Sequence, residues 1–202
     1  MSPTPKRLVL ASTSRYRRAL LERLGVPFTA RAPDCDETRY PEKAPQDLAA
    51  TLAREKATSL LDEPVGTLVI GSDQVVDLDG EVLGKPHTAE AAVAQLARLQ
   101  GRAHRLVTAV AVHEVGGRTL EAVDVHTMHM RPLDDVALRA YVAHDQPLDC
   151  AGSYRLEARG VALFARVEAD PETADDSAIV GLPIMKLLRL LRELGVDPIT
   201  MG

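Results

Sequence analysis

Arg17 and Arg18 stand at the start of a helical pattern, just after a short apolar run and a cluster of hydroxyls: Leu10-Ala11-Ser12-Thr13-Ser14-Arg15-Tyr16-Arg17-Arg18. Cations in a first helical turn oppose the positive end of the helix dipole. A nearby anion would compensate, and a polyphosphate met by guanidinium forks, hydroxyls and backbone N–H groups would do so well. Read alone, the serines are ordinary helix caps and the arginines a solvated turn.

Four further places carry the same kind of signal. Leu48, Leu52, Lys56 and Leu60 are spaced four apart, so Lys56 lies in line with leucines that should face a core. Its ammonium either snorkels to water or meets a phosphate or carboxylate. Asp73 closes the apolar run Leu68-Val69-Ile70-Gly71-Ser72, and a carboxylate at the end of a buried strand is where open α/β sheets place ligands. There it could hold a metal, take a proton from water or cap a turn. Lys85, in Gly84-Lys85-Pro86, offers a second ammonium or a surface charge. Asp34, Asp36 and Glu37 form an acidic loop that is either solvated or, if it faces Asp73, a source of oxygen ligands for Mg²⁺ or Mn²⁺.

These positions depend on elements that alternate in the α/β manner. The pattern predicts a strand over 7–12, helices over 16–24 and 46–61 with a loop over 33–45 between them, and a strand over 67–78. Asp79-Gly80 turns the chain into a short strand over 81–83, and Thr88 caps a helix over 89–99. Strands over 103–115 and 120–130 fold about Gly116-Gly117, and their alternation suggests one solvated face. Asp134 opens a helix to about 144, a strand follows over 161–167, and a last helix over 184–194 stops at Gly195. No repeat or flexible linker interrupts the order, so one domain spanning 1–202 is expected. Its fold class is α/β, a curved mixed β-sheet with flanking helices and two lobes around a cleft.

Composition limits the partners. The 202 residues are 46% apolar and 26% charged, with a net charge of −5, which suits a globular chain and argues against broad nucleic-acid binding. Neither an export signal nor a run of about 20 apolar residues is read, so no membrane segment is expected and a cytoplasmic location is. Cys35 and Cys150 are read as reduced thiols.

Together the motifs resemble the Maf family of nucleotide pyrophosphatases over nearly the whole chain. The matching segments are Leu10-Ala11-Ser12-Thr13-Ser14 with Arg17-Arg18, Asp36-Glu37-Thr38, Arg54-Glu55-Lys56-Ala57, Gly71-Ser72-Asp73-Gln74, Gly84-Lys85-Pro86, Cys150-Ala151-Gly152-Ser153-Tyr154 and Val180-Gly181-Leu182-Pro183. The resemblance implies a fold similar to the ITP-pyrophosphatase group, a homodimer, and hydrolysis of a nucleoside triphosphate to monophosphate and pyrophosphate with a divalent cation. By motif it implies Asp73, Lys56 and Lys85 as catalytic residues and Asp73 with Glu37 as metal ligands. Ser12 and Arg17 would bind the triphosphate.

Gly-Ser-Asp-Gln and Cys-Ala-Gly-Ser resemble the branch of that family acting on 7-methyl-GTP, which implies Tyr16, Gln74 and Glu157 as base-reading residues. An electron-rich ring at Tyr16 suits a cationic N7-methylguanine, and Glu157 can accept from the guanine N1–H and exocyclic amine. The chain departs from the branch in having Arg15 where Pro is usual and Tyr16 where Trp is usual. Other readings are a pyrophosphatase for dTTP, UTP or another modified nucleotide, and a nucleotide-binding regulator of cell division that turns over little.

Overall fold

A computed structural model describes residues 6–40 and 42–200. Strand β1 (Leu8–Ala11) is buried at every position and is followed at once by helix α1 (Arg15–Glu22), whose N-cap Ser14 accepts from the Arg17 N–H at 3.4 Å. Strand β2 (Thr29–Arg31) comes next, then helix α2 (Pro45–Thr58), which opens on a proline. Proline suits that position because its φ is preset and its missing N–H would have no helical partner there. Strand β3 (Leu68–Leu78), strand β4 (Glu81–Leu83) and helix α3 (Ala89–Leu99) follow. Strands β5 (Ala103–Glu114) and β6 (Thr119–Met130), helix α4 (Asp135–Asp145), strand β7 (Phe164–Ala169) and helix α5 (Ile184–Glu193) complete the chain. The sheet runs β2-β1-β3-β5-β6-β7, with β4 paired to β3. A mixed α/β sheet with five flanking helices among the described residues is the expected class.

The described residues divide into two compact units. One holds those up to Asp73, Thr108–Asp124 and those from Asp175 onward; the other holds Gln74–Val107 and Val125–Ala174. In the first, β1 pairs in parallel with β2 and with β3, Leu8 opposite Leu68 and Leu10 opposite Ile70. Period-2 alternation sends Leu8, Leu10, Leu68 and Ile70 to one face, where they pack with Leu20 and Leu21 of α1 and Leu187, Leu190 and Leu191 of α5. Each such leucine contributes about 1.5–3 kcal/mol on burial. Val9, Ala11 and Val69 take the other face, with Leu60 just beyond α2.

In the second unit, β3 and β4 form an antiparallel hairpin through Asp79 (φ 55°) and Gly80 (φ 91°), and Asp77 Oδ1 accepts from the Gly80 N–H at 2.7 Å. Two successive positive φ angles match the right-handed twist of the strands. Strand β7 pairs antiparallel with β6 across an irregularity at His129 and Met130.

Four details differ from the sequence reading. Strand β2 is exposed along most of its length and has no apolar alternation to betray it. Residues read as the start of a strand at 161 form a 3-10 turn, Arg159–Leu163, and the strand begins at Phe164. Strand β5 is buried at every position from Leu106 to Val112, so it has no solvated face there, because it lies inside the sheet between β3 and β6. Asp73 is not at the end of a strand but within one, since β3 continues through it to Leu78 as the span read over 67–78 has it.

Candidate active site

Two elements of the first unit bring Lys56 and Asp73 together. On β3, alternation sends Val69, Gly71 and Asp73 to the face that α2 covers. A Cβ at Gly71 would overlap the Ala53 carbonyl oxygen and the Ala57 nitrogen. Glycine at 71 thus lets α2 lie directly on the strand, and one turn of α2 then carries Lys56 past Gly71 to Asp73. Lys56 Nζ donates to Asp73 Oδ1 at 2.6 Å and lies 2.6 Å from Glu37 Oε1. Lys56 does not snorkel: its side chain is 6% exposed and that of Asp73 9%.

Arg17 approaches from α1. Its Nε donates to the Gly181 carbonyl oxygen at 2.8 Å, and the Ser72 hydroxyl lies 2.9 Å from that same oxygen and 2.7 Å from the Ala109 carbonyl oxygen. Gly181 has φ 110°, in the region that favours glycine. The loop before α5 is fixed in turn by Asp175, whose carboxylate accepts from the Ser177, Met185 and Lys186 N–H groups. Ser72 and Gly181 were legible only as motif letters; their task, holding the oxygen that aims Arg17, requires two segments more than a hundred residues apart.

The electrostatics follow from burial. Desolvation pushes the Asp73 carboxyl above its ordinary range and outweighs the opposing pull of Lys56 and Arg17. Desolvation likewise lowers the Arg17 guanidinium from its usual value, with Asp73 and Glu37 acting the other way. Two cations and two carboxylates therefore share one partly dry place, an arrangement that can receive a polyanion and hold a hard cation.

The remaining sequence-predicted residues are placed as follows. Ser12, buried at the end of β1, accepts from the Ser14 N–H at 3.1 Å and so shapes the turn into α1. Tyr16 is half-buried, with the Arg15 guanidinium 4.8 Å from its ring centre and Arg15 Nη2 donating to its hydroxyl at 2.7 Å. Arg18 points away to Glu22 on the exposed face of α1, so only one of the two adjacent arginines serves the site. Of the acidic loop, Glu37 reaches Lys56 while Asp36 forms a local turn with Thr38. Gln74, Lys85 and Glu157 belong to the second unit: Gln74 follows Asp73 on β3 and is half-buried, Lys85 is exposed after β4, and Glu157 is exposed in the turn before Arg159. Both cysteines are free.

Among the described residues no group of three or more His, Cys, Asp and Glu could hold a metal ion. Asp73 and Glu37 are the two carboxylates that could contribute to one with the help of substrate. Their oxygens converge on the same atom, Lys56 Nζ, and two carboxylates with substrate phosphates and waters are the usual donor set for Mg²⁺.

A family model described as Maf-like protein matches residues 7–194. This chain belongs to the Maf family. Relatives named 7-methyl-GTP pyrophosphatase include one from Bordetella pertussis, 46% identical over 201 residues that cover 99% of this chain and 98% of the relative. Another, from Pseudomonas syringae pv. syringae, is 44% identical over 192 residues, 94% of this chain and 97% of its own length. The solved structure of a HAM1 protein from Coxiella burnetii superposes with a TM-score of 0.55 at 16% identity, covering 94% of this chain and all of that one, so the Maf chain shares its fold. No helix among the described residues is long and apolar enough to cross a membrane.

Proposed function

We propose that this chain, a nucleotide pyrophosphatase of the Maf family, hydrolyses 7-methyl-GTP to 7-methyl-GMP and pyrophosphate with a divalent cation. The observation that carries the reading is Lys56 held between Glu37 and Asp73 with Arg17 beside them. Water attacks the α-phosphorus, the bond from that phosphorus to the bridging oxygen breaks, and pyrophosphate leaves with the electron pair. Asp73, whose carboxyl binds protons more tightly than an ordinary aspartate, accepts the proton of the attacking water. Arg17 and Lys56 neutralise the charge that grows on the leaving group. Ser12 fixes the turn whose N–H groups face the phosphates. A divalent cation held by Asp73 and Glu37 would supply charge neutralisation and a more acidic bound water.

Tyr16 supplies the stacking surface for the cationic base, a cation–π contribution of about 0.5–2 kcal/mol. That its ring already attracts the Arg15 guanidinium supports this use. Gln74 and Glu157 read the guanine edge. The protein acts in the cytoplasm, as a homodimer, on a small nucleotide and without nucleic-acid or membrane partners.

One panel tests the reading: pyrophosphate release from 7-methyl-GTP, GTP, dTTP and UTP, with Mg²⁺, with Mn²⁺ and with chelator. The highest kcat/KM on 7-methyl-GTP, abolished by chelator, is expected. Preference for dTTP or UTP overturns the base assignment, and turnover indifferent to chelator overturns the metal.

A further inference from the structure

Glu55 stands one residue before Lys56 on α2 and takes no part in the chemistry above. Its carboxylate is divided between two residues of the segment that precedes the helix. Oε1 accepts from the Tyr40 hydroxyl and Oε2 from the Cys35 thiol at 3.5 Å. Cys35 and Tyr40 lie on either side of Glu37 in sequence, so the segment carrying Glu37 is fastened to α2 at both flanks. Its middle is fastened by Glu37 itself, on Lys56. Within the segment, Asp36 Oδ1 accepts from the Thr38 N–H at 3.0 Å and the Thr38 hydroxyl at 2.7 Å, which shapes the turn at its tip.

We propose that Glu55 is the positioning residue for Glu37, a clasp that holds residues 35–40 against α2 so that the Glu37 carboxylate stays on Lys56 and beside Asp73. The inference rests on the role given to Glu37 above. Glu37 is itself more than half exposed, and an exposed ion pair alone orders a loop poorly, because screening and side-chain entropy offset its attraction. The Tyr40 hydroxyl on the Glu55 carboxylate is a firmer anchor, and the Cys35 thiol, a weak donor, adds to it. The geometry also gives Arg54-Glu55-Lys56-Ala57 a purpose beyond its lysine. Successive residues of one helical turn grip the same segment, Glu55 at its flanks and Lys56 at its centre.

Amide hydrogen exchange of the intact protein tests the clasp without any turnover. In Glu55→Ala, exchange over residues 35–40 should rise about tenfold or more while the strands of the core exchange as in wild type. Glu55→Gln, which keeps an acceptor for Tyr40, should fall between. Unchanged exchange in both variants overturns the proposal. Kinetics supply the second readout: Glu55→Ala should lower kcat about tenfold, yet change it less than about twofold in a Glu37→Gln background, because both changes remove one function. A full additional loss in that background overturns it. A wild-type protein that releases no pyrophosphate from any nucleoside triphosphate refutes the proposed function instead, and the exchange measurement still decides the clasp.

Discussion

The Lys56 ammonium lies 2.6 Å from Asp73 Oδ1 with both side chains almost wholly buried, and Glu37 flanks it at the same distance. Buried ion pairs seldom stabilise a fold more than apolar residues of the same size would, because desolvation offsets their attraction. The Asp73 carboxylate lies on a strand buried at every position but Gln74, and a charge kept in such a strand is one kept for chemistry.

Breaking that pair should therefore harm the protein twice. Lys56→Met leaves the Asp73 and Glu37 carboxylates facing each other without the cation between them. Denaturant unfolding should show a loss of about 3–5 kcal/mol, and kcat/KM should fall about a hundredfold or more, equivalent to about 2.7 kcal/mol of lost transition-state stabilisation. A variant of wild-type stability and activity would remove Lys56 from the site.

Asp73 makes stability depend on pH in a particular direction. Its carboxyl binds protons more tightly in the folded chain than in the unfolded one. Its contribution is thus complete below the ordinary aspartate pKa of about 3.9 and is lost as pH rises through the folded value. Asp73→Asn escapes this loss, so the Tm difference should move in favour of the variant between pH of about 4 and about 7. A constant difference means that Asp73 titrates as an ordinary aspartate. The variant should release no pyrophosphate at any pH.

Gly71 is needed for what it lacks. In Gly71→Ala the new methyl must displace the α2 backbone at Ala53 and Ala57, and overpacking of this kind costs about 1–3 kcal/mol. Since α2 carries Lys56, turnover should fall by more than the lost stability explains, measured as kcat at a temperature where the variant is fully folded. Full activity in a destabilised variant would show that the helix is not what sets Lys56 on Asp73.

Arg15 occupies the ring that the proposed base would use. Its guanidinium sits 4.8 Å from the centre of Tyr16, so it competes with a cationic base and repels it. Arg15→Ala should lower KM for 7-methyl-GTP several-fold, about the size of one cation–π contact, with a smaller change for GTP. An equal change for both nucleotides would mean that Arg15 acts on the phosphates.

Much of this was legible in the chain. Continuous apolar runs located β1 and β3, the helical spacing of Leu48, Leu52 and Lys56 put a lysine on a core-facing stripe, and Ser14, Thr88 and Asp134 marked helix starts that they do cap. Strand β2 was not legible, because three largely exposed residues carry no periodicity. The solvated face expected of β5 failed for a related reason: alternation reports the two faces of a strand, but whether both are covered depends on its neighbours in the sheet.

The sequence by itself determined which residues face inward and which carry charge, since both follow from backbone periodicity and residue type. It could not divide Arg17 from Arg18, adjacent and chemically identical, nor tell Lys56 snorkelling to water from Lys56 buried on Asp73. Tertiary structure decided these. Arg17 is aimed by a carbonyl at Gly181 while Arg18 turns to Glu22, and Lys56 meets Asp73 because glycine at 71 lets a helix lie on the strand. Periodicity fixes the direction of a side chain, but its partner comes from distant chain that only close packing brings within bonding distance.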